Sequence, residues 1–158
     1  MIGDADDDDT NGDEQASGRR SGESGHRTVP HTADVRIEAW GSSRELCLAE
    51  AVLGMVECFA DLGGVRPTAV RRVRFDETDD DDLLAALLDE VIFRLEVHGE
   101  VPVDVEAEMT DGGLDVRLAV AELSRVPVIG AAPKAVSWSD LHLAPGPYGW
   151  TCAATVDV

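Results

Sequence analysis

The protein is a chain of 158 residues whose 32 acidic and 13 basic residues give a formal net charge of −19. This length is typical of one domain with a tail, and 44% hydrophobic residues are enough for one core. No apolar run approaches the length of a membrane span, and the acidic residues 1–9 do not resemble a signal or transit peptide. We therefore expect a cytoplasmic protein that is not attached to a membrane.

The negative net charge of the chain also indicates which kinds of partner it can bind. A phosphate backbone repels a chain this acidic, because nucleic-acid binding depends on lysine and arginine to neutralise charge. We therefore expect no direct binding to nucleic acid, and we expect any link to RNA to run through a basic protein partner. Solubility alone, or adaptation to a salty host, explains the charge equally well.

The three cysteines, Cys47, Cys58 and Cys152, predict no disulfide framework. Their number is odd, and neither a C-x-x-C motif nor a Cys/His spacing for zinc is present. Cys47 and Cys58 lie in one predicted helix, where eleven residues of separation correspond to roughly 16 Å. We expect small apolar core residues in a reducing cytoplasm.

Residues 1–28 read as an acidic, disordered tail. They combine an aspartate run at residues 6–9 with Gly, Ser and Arg and contain almost nothing apolar, so they cannot bury enough surface to offset their ordering entropy. The domain is predicted to begin at Val29 and to extend through residues 29–158. This part keeps 24 acidic and 10 basic residues, so the domain itself is acidic.

The first half of the domain predicts a strand, a helix, a strand and a second helix. Apolar residues alternate with polar ones over residues 35–40, which is typical of a half-buried strand. Ser42 and Glu45 form a capping-box pattern that opens a largely apolar helix, and Gly63-Gly64 is predicted to end it. A short strand at residues 70–75 precedes a second helix, which starts in the acids at residues 79–82 and stops at Gly99.

The second half of the domain reads as β-structure. Residues 101–109 and 114–120 alternate strictly around the turn Asp111-Gly112-Gly113, and two further strands are predicted at residues 135–143 and 150–158. This order of elements predicts a single α+β domain, a mostly antiparallel β-sheet with two amphipathic helices packed on it.

Two acidic residues at the ends of predicted strands are candidates for chemistry. If Val35 and Ile37 face the core, Asp34 points to the other side of the sheet, and the same parity places Asp157 opposite the apolar face of the last strand. Together with the terminal carboxylate of Val158 they offer an all-oxygen site for a hard cation. The alternative is that both are ordinary solvated acids. Walker, G-x-G-x-x-G, H-E-x-x-H and G-x-S-x-G motifs are absent.

Four segments together resemble a known family. They are the opening His31-Thr32-Ala33-Asp34, the helix with Leu87-Leu88-Asp89-Glu90, the strand Lys134-Ala135-Val136, and the closing Gly149-Trp150 to Asp157-Val158. In this order they resemble the archease family. The resemblance covers residues 29–158.

This resemblance implies a metal site and a partner. Archeases bind a divalent cation, and the matching positions are Asp34, Asp157 and Val158. Calcium is the expected ion, with magnesium or manganese as alternatives. Family members promote the guanylylation and turnover of the GTP-dependent RNA ligase of tRNA splicing. The resemblance therefore implies an RNA ligase activator in tRNA splicing or RNA repair, which is not itself an enzyme.

Other residues leave alternatives open. His31 is interpreted as a partner-facing residue beside the metal, with a strand cap or an additional ligand as alternatives, and Lys134 as partner-facing or simply solvated. The family commonly has Tyr-His where this chain has Trp138-Ser139, which leaves the role of that pair vacant here. Two competing functions are a small metal-dependent hydrolase that uses the same carboxylates and a chaperone-like interaction protein.

Overall fold

The computed structural model describes residues 22–30 and 33–158. The elements along these residues are β1 (Gly25–Pro30), β2 (Asp34–Gly41), α1 (Arg44–Glu57), β3 (Ala69–Phe75), α2 (Asp80–Phe93), β4 (Glu100–Thr110), β5 (Gly113–Glu122), β6 (Ala135–Gly146) and β7 (Gly149–Asp157). A π-helical turn, Arg94–His98, continues α2, and a 3-10 turn, Leu123–Arg125, follows β5.

The strands form two antiparallel sheets and not the one sheet that the order of elements suggested. The first sheet has the order β1-β2-β7-β6, and the second has the order β3-β5-β4. Both helices pack on these sheets, so the predicted α+β class with two helices on antiparallel strands is confirmed. Alternation along a strand predicts which face is buried, but it does not specify the neighbouring strand, and the division into two sheets was therefore missed.

Helix α1 is the centre of the core. It contacts β1, β2 and β7 of the first sheet and β4 of the second, so both of its flanks are covered. Leu48, Val52 and Met55 are completely buried, and each such side chain stabilises the fold by about 1.5–3 kcal/mol. Gly54 allows the close approach of the sheet, since a Cβ there would lie 3.1 Å from Ile37 Cγ2.

Both ends of α1 differ from the sequence prediction. The N-cap is Ser43 and not Ser42, and its hydroxyl accepts a hydrogen bond of 3.1 Å from the backbone N–H of Leu46. The helix ends at Glu57, well before Gly63-Gly64. A tertiary contact ends it, because the carbonyl of Phe59 accepts a hydrogen bond of 2.8 Å from the N–H of Ile129.

The second helical segment, α2 together with the π-helical turn that continues it, begins and ends as predicted. Asp79 caps it, and its carboxylate accepts hydrogen bonds from the backbone N–H groups of Asp81 and Asp82 at 2.8 and 3.1 Å. At the other end Gly99 has the left-handed conformation, with φ of 61°. The expected pair of Arg94 with Glu90 is present at 2.8 Å. Among the residues that the structure describes, no helix is long and apolar enough to cross a membrane.

The three cysteines are free, as predicted. Cys47 and Cys152 are buried in the core, and Cys58 is half-buried at the end of α1. Burial raises the pKa of the Cys58 thiol to about 11. A thiol with such a pKa is almost entirely protonated at neutral pH, so Cys58 is a weak nucleophile.

Strand β1 corrects the predicted domain boundary. The acidic tail was expected to extend to residue 28, but Gly25–Pro30 pairs with β2 along its whole length. His26 lies in this strand, and its ring nitrogens hydrogen bond with Glu50 Oε1 at 2.7 Å and with Glu57, both in α1. A β-edge held by a histidine leaves almost no hydrophobic signal in the sequence. Residues 1–21, the rest of the predicted tail, lie outside the described residues.

These contacts make the stability of the domain depend on pH. The hydrogen bond with Glu50 raises the pKa of His26, burial opposes the rise, and Glu57 adds to it, so the pKa lies above its ordinary 6.5. The resulting stabilisation is complete below the unfolded pKa and is lost as the pH rises through the higher folded pKa.

His26→Gln should therefore lower the free energy of unfolding by about 1–2 kcal/mol at pH near 6, and by clearly less at pH near 9. Urea unfolding of both proteins across this pH range measures the difference. His142→Gln, at an exposed position of β6, is the matched control and should show no such trend. An equal cost of His26→Gln at every pH would contradict the role of the protonated ring.

Candidate metal-binding site at the end of the β2–β7 pair

Asp34 and Asp157 lie directly opposite each other in the first sheet. Strands β2 and β7 are antiparallel neighbours, and their register pairs Asp34 with Asp157 and Val35 with Val156. Paired residues of such strands project from the same face, so the two carboxylates share the face opposite the core. Val156 is completely buried while Asp157 is exposed, as the parity argument predicted.

Two neighbouring chain segments complete this end of the sheet. The backbone N–H of Lys134 donates a hydrogen bond of 2.7 Å to the carbonyl of Asp157, and Ala135 pairs with Asp157 from β6. The N–H of Val158 lies 3.4 Å from the carbonyl of Ala33. The structure thus brings four of the five candidate site residues to one edge: Asp34, Lys134, Asp157 and Val158. The fifth, His31, lies outside the described residues.

Two arginines in the middle of this face pair with Glu38. Arg27 Nε contacts Glu38 Oε1 at 2.5 Å, and Arg36 Nε lies 3.3 Å from Glu38 Oε2. Burial opposes ionisation of Glu38, but the hydrogen bonds from the two arginines outweigh it and lower the pKa of this carboxyl. The charge of Glu38, in the middle of this face, is therefore balanced by two arginines. Among the described residues, no comparable ion pair forms at Asp34 or Asp157.

The donors available at this edge are oxygens. Two carboxylates and the oxygens of Val158 suit a hard cation such as calcium or magnesium and do not suit a soft metal. In the described part of the chain, no group of three or more His, Cys, Asp or Glu side chains is arranged to hold a metal ion. A cation here would therefore depend on two side chains, a main-chain or terminal oxygen, and water.

Strand β6 presents a feature beside this edge that the sequence did not indicate. The register of β6 on β7 breaks between Ser137 and His142, and Asp140 in this interruption has φ of 59°. The break turns Trp138 outward, where 62% of its surface is exposed. The sequence did not locate this interruption, because alternation alone cannot identify a bulge.

The basic residues of β3 lie on a solvated face. This strand is the edge of the second sheet, and Arg71 pairs with Glu100 at 2.6 Å. Arg74 pairs with Asp76 and Asp115 at 3.1 and 3.2 Å. These pairs neutralise the cluster locally, and it offers no broad positive surface.

Sequence comparison connects this chain with named proteins. It matches the model of the Archease protein family (MTH1598/TM1083) over residues 26–158. The "Probable protein archease" of Mycobacterium tuberculosis strain H37Rv is 48% identical over 142 residues, which cover 90% of this chain and 79% of that protein. The "Protein archease" of Thermococcus gammatolerans is 32% identical over 85 residues, 52% of this chain and 60% of that protein.

Solved structures share the fold. The solution structure of Methanobacterium thermoautotrophicum protein 1598 superposes with a TM-score of 0.68 at 23% identity, covering 85% of this chain and 99% of that one. The crystal structure of a Thermotoga maritima archease, described as a possible chaperone, gives 0.61 at 20% identity, covering 82% and 94%. The family model spans nearly all described residues, and the mycobacterial relative matches most of both chains. This chain belongs to the archease family.

Proposed function

We propose that this protein is a metal-binding accessory factor that activates a GTP-dependent RNA ligase in tRNA splicing or RNA repair. It promotes guanylylation and turnover of the ligase and performs no catalysis of its own. Membership of the archease family supports the identity of the partner. The observation that carries the proposal is the register that sets Asp34 opposite Asp157 at the end of the β2–β7 pair.

The pairing of the two aspartates favours a cation. Residues directly opposite in antiparallel strands have Cα atoms only about 4.5–5.5 Å apart, and like charges at such positions destabilise the sheet. A divalent cation bound between Asp34, Asp157 and an oxygen of Val158 relieves this repulsion. Calcium is the ion that we propose, with magnesium and manganese as alternatives that satisfy the same oxygen donors.

The protein's own residues make this edge a rigid tip. The hydrogen bond from Lys134 to Asp157 and the pairing with β6 hold the last strand in place. When bound, the cation would offset the negative charges of the two carboxylates at this tip. Lys134, which is exposed, and His31 are proposed to face the partner.

The net charge supports a protein partner over direct contact with RNA. A charge of −19 repels a phosphate backbone and attracts a basic protein surface, which increases the rate of encounter. The arginines of β3 do not change this balance, because Arg71 and Arg74 already pair with acids. We propose that the ligase, and not this protein, binds the RNA.

Two other functions use the same features. A small metal-dependent hydrolase would employ Asp34 and Asp157 as ligands, and a chaperone-like interaction protein would use exposed apolar residues without a metal. The experiments below distinguish both of these functions from that of a ligase activator. The hydrolase requires turnover by the purified protein, and the chaperone requires activation that survives loss of the carboxylates.

The first prediction concerns metal-linked stability. At about 100 times the dissociation constant, calcium should stabilise the fold by about 2.7 kcal/mol. Asp34→Asn and Asp157→Asn should each abolish this gain while costing little stability in chelator, because they also remove the repulsion. Thermal unfolding with calcium, magnesium or chelator measures the effect.

Glu108→Gln is the matched control. Glu108 also lies opposite an acid in antiparallel strands, Asp115, but there Arg74 compensates the pair. This variant should keep the full response to calcium. If the Asn variants respond like the wild-type protein, the two aspartates are solvated strand ends and the metal site is elsewhere.

The second prediction concerns activity. Addition of the protein should increase guanylylation and multiple turnover by the cognate ligase, and both Asn variants should lose most of this effect while Glu108→Gln keeps it. The protein alone should neither hydrolyse nucleotides nor cleave RNA. Sustained turnover by the protein alone, abolished by Asp34→Asn, would instead establish the hydrolase.

The third prediction concerns Trp138. An exposed tryptophan beside the tip is the residue type that most often dominates the energy of a protein interface. Trp138→Ala should weaken binding to the ligase by about 1–2 kcal/mol without changing the response to calcium. Titration of the ligase by calorimetry tests this, and the control is Tyr148→Ala, an exposed aromatic in the turn between β6 and β7 at the other end of the sheet. Unchanged affinity would exclude Trp138 from the interface.

A further inference from the structure

A loop without polar side chains connects the second sheet to β6. Residues 126–133 read Val-Pro-Val-Ile-Gly-Ala-Ala-Pro, in a chain in which 28% of all residues are charged. Residues 127–132 of this apolar loop are all exposed, and Val128 and Ile129 expose 60% and 66% of their surface. Single exposed apolar residues are common, but a contiguous exposed apolar patch is typical of a contact surface. The apolar loop is therefore a candidate for an interface.

Main-chain hydrogen bonds hold the apolar loop against the segment that follows α1. The carbonyl of Pro127 accepts a hydrogen bond of 2.9 Å from the N–H of Asp61, and the N–H of Ile129 donates one of 2.8 Å to the carbonyl of Phe59. Gly130 permits this approach, because a Cβ there would lie 2.7 Å from a main-chain carbonyl oxygen just after α1. Since these contacts use main-chain atoms, the exposed side chains stand on a fixed backbone. A surface that is already ordered binds at a low entropic cost.

An open cavity of about 470 Å³ lies beside Ile129. Two of its lining residues are acidic, and neither lysine nor arginine is among those described. Asp61 is exposed, and its carboxylate accepts a hydrogen bond of 2.9 Å from the N–H of Gly63, but no cation pairs with it in the described part of the chain. The cavity therefore favours a cationic group over an anionic one. It is lined by Glu57, Ala60, Asp61, Leu62, Gly63 and Ile129.

The apolar loop leads directly into the acidic tip. Its last residue precedes Lys134, whose N–H donates the hydrogen bond of 2.7 Å to the carbonyl of Asp157. Ile129 is five residues before Lys134, and five residues of chain span at most about 18 Å. A standard protein interface covers about 800 Å² of each partner and is therefore roughly 30 Å across. One partner can cover the tip and the apolar loop together.

We propose that the apolar loop is a second contact surface for the ligase, a proposal that rests on the proposed function. Val128 and Ile129 pack against an apolar side chain of the ligase that is flanked by lysine or arginine. A protein that binds RNA carries basic residues near the RNA, because they neutralise its phosphates. Asp61 and the net charge of −19 attract such a surface. A second copy of this protein is repelled by the same charge.

Calorimetric titration of the cognate ligase with a serine variant of the loop tests the proposal. The double variant Val128→Ser/Ile129→Ser should bind about tenfold more weakly or less tightly still, because two apolar contacts are lost. Its melting temperature, and the rise of that temperature with calcium, should stay unchanged. Val97→Ser, at a position of the π-helical turn that is also 60% exposed, is the matched control and should bind like the parent. Unchanged affinity of the double variant, or an equal loss with Val97→Ser, would overturn the proposal.

Charged variants test whether the partner segment is basic. Ile129→Lys and Ile129→Glu remove the same apolar contact, but only the lysine repels a basic surface, so it should bind about threefold more weakly than the glutamate at low salt. Asp61→Asn keeps the acceptor for Gly63 and should weaken binding about twofold at low salt and not at about 0.5 M salt. Tighter binding of Ile129→Lys than of Ile129→Glu would overturn the assignment to a basic segment.

Two further results separate this proposal from the proposed function. If the parent protein neither binds nor stimulates the ligase, the proposed function fails and the docking role of the apolar loop fails with it. If parent and double variant bind and stimulate the ligase equally, only the role of the apolar loop is overturned. Sedimentation of the protein alone should show a monomer at every concentration. Self-association that the double variant abolishes would assign the apolar loop to a second copy of the chain and overturn the proposal.

Discussion

The antiparallel pairing of β2 with β7 is the constraint on which the rest of the domain depends. It joins a strand near the beginning of the described chain to the last one, and its register runs from Asp34 opposite Asp157 to Gly41 opposite Trp150. The inner face of the pair, with Ile37, Ala154 and Val156, is almost completely buried beneath α1. Because side chains alternate between faces, a shift of one residue would expose this apolar face and separate the two aspartates. The burial of the core therefore also determines the geometry of the candidate site.

The residue types on the outer face of the β2–β7 pair differ from one end of the strands to the other. At one end two carboxylates meet without an arginine between them, and in the middle Glu38 receives Arg27 and Arg36. At the far end Trp40 and Tyr148 enclose a small cavity. The oxygen donors of the acidic end are of the type that a hard cation prefers.

The distribution of charge differs between the two sheets and the chain as a whole. Acidic residues dominate the chain, and the arginines of the second sheet form pairs such as Arg71 with Glu100 and Arg117 with Glu106. Such pairs contribute little to stability because they are exposed, but they remove a positive surface that could hold a phosphate backbone. Trp138, on β6 near the acidic tip, is an exposed apolar residue beside these charges.

Much of the architecture could be derived from periodicity alone. Alternation predicted the strands now seen as β2, β4, β5, β6 and β7, and it placed Asp34 and Asp157 on the face opposite the core. The capping residue Asp79 and the stop at Gly99 identified the limits of the second helix and its final turn, because caps are local interactions. The resemblance to archeases, carried by short motifs, was confirmed by the family match.

What the sequence determined by itself was therefore local or compositional: strand parity, the limits of the second helical segment, the free cysteines and the strong net acidity. The tertiary structure decided which strands are neighbours, the register of Asp34 on Asp157, and the division into two sheets. It also decided that His26 belongs to a strand and that α1 ends at Glu57. These features depend on hydrogen bonds and contacts between residues far apart in the chain, such as His26 with Glu50 and Phe59 with Ile129. Such contacts form only when the whole core assembles, so no local pattern of residues encodes them.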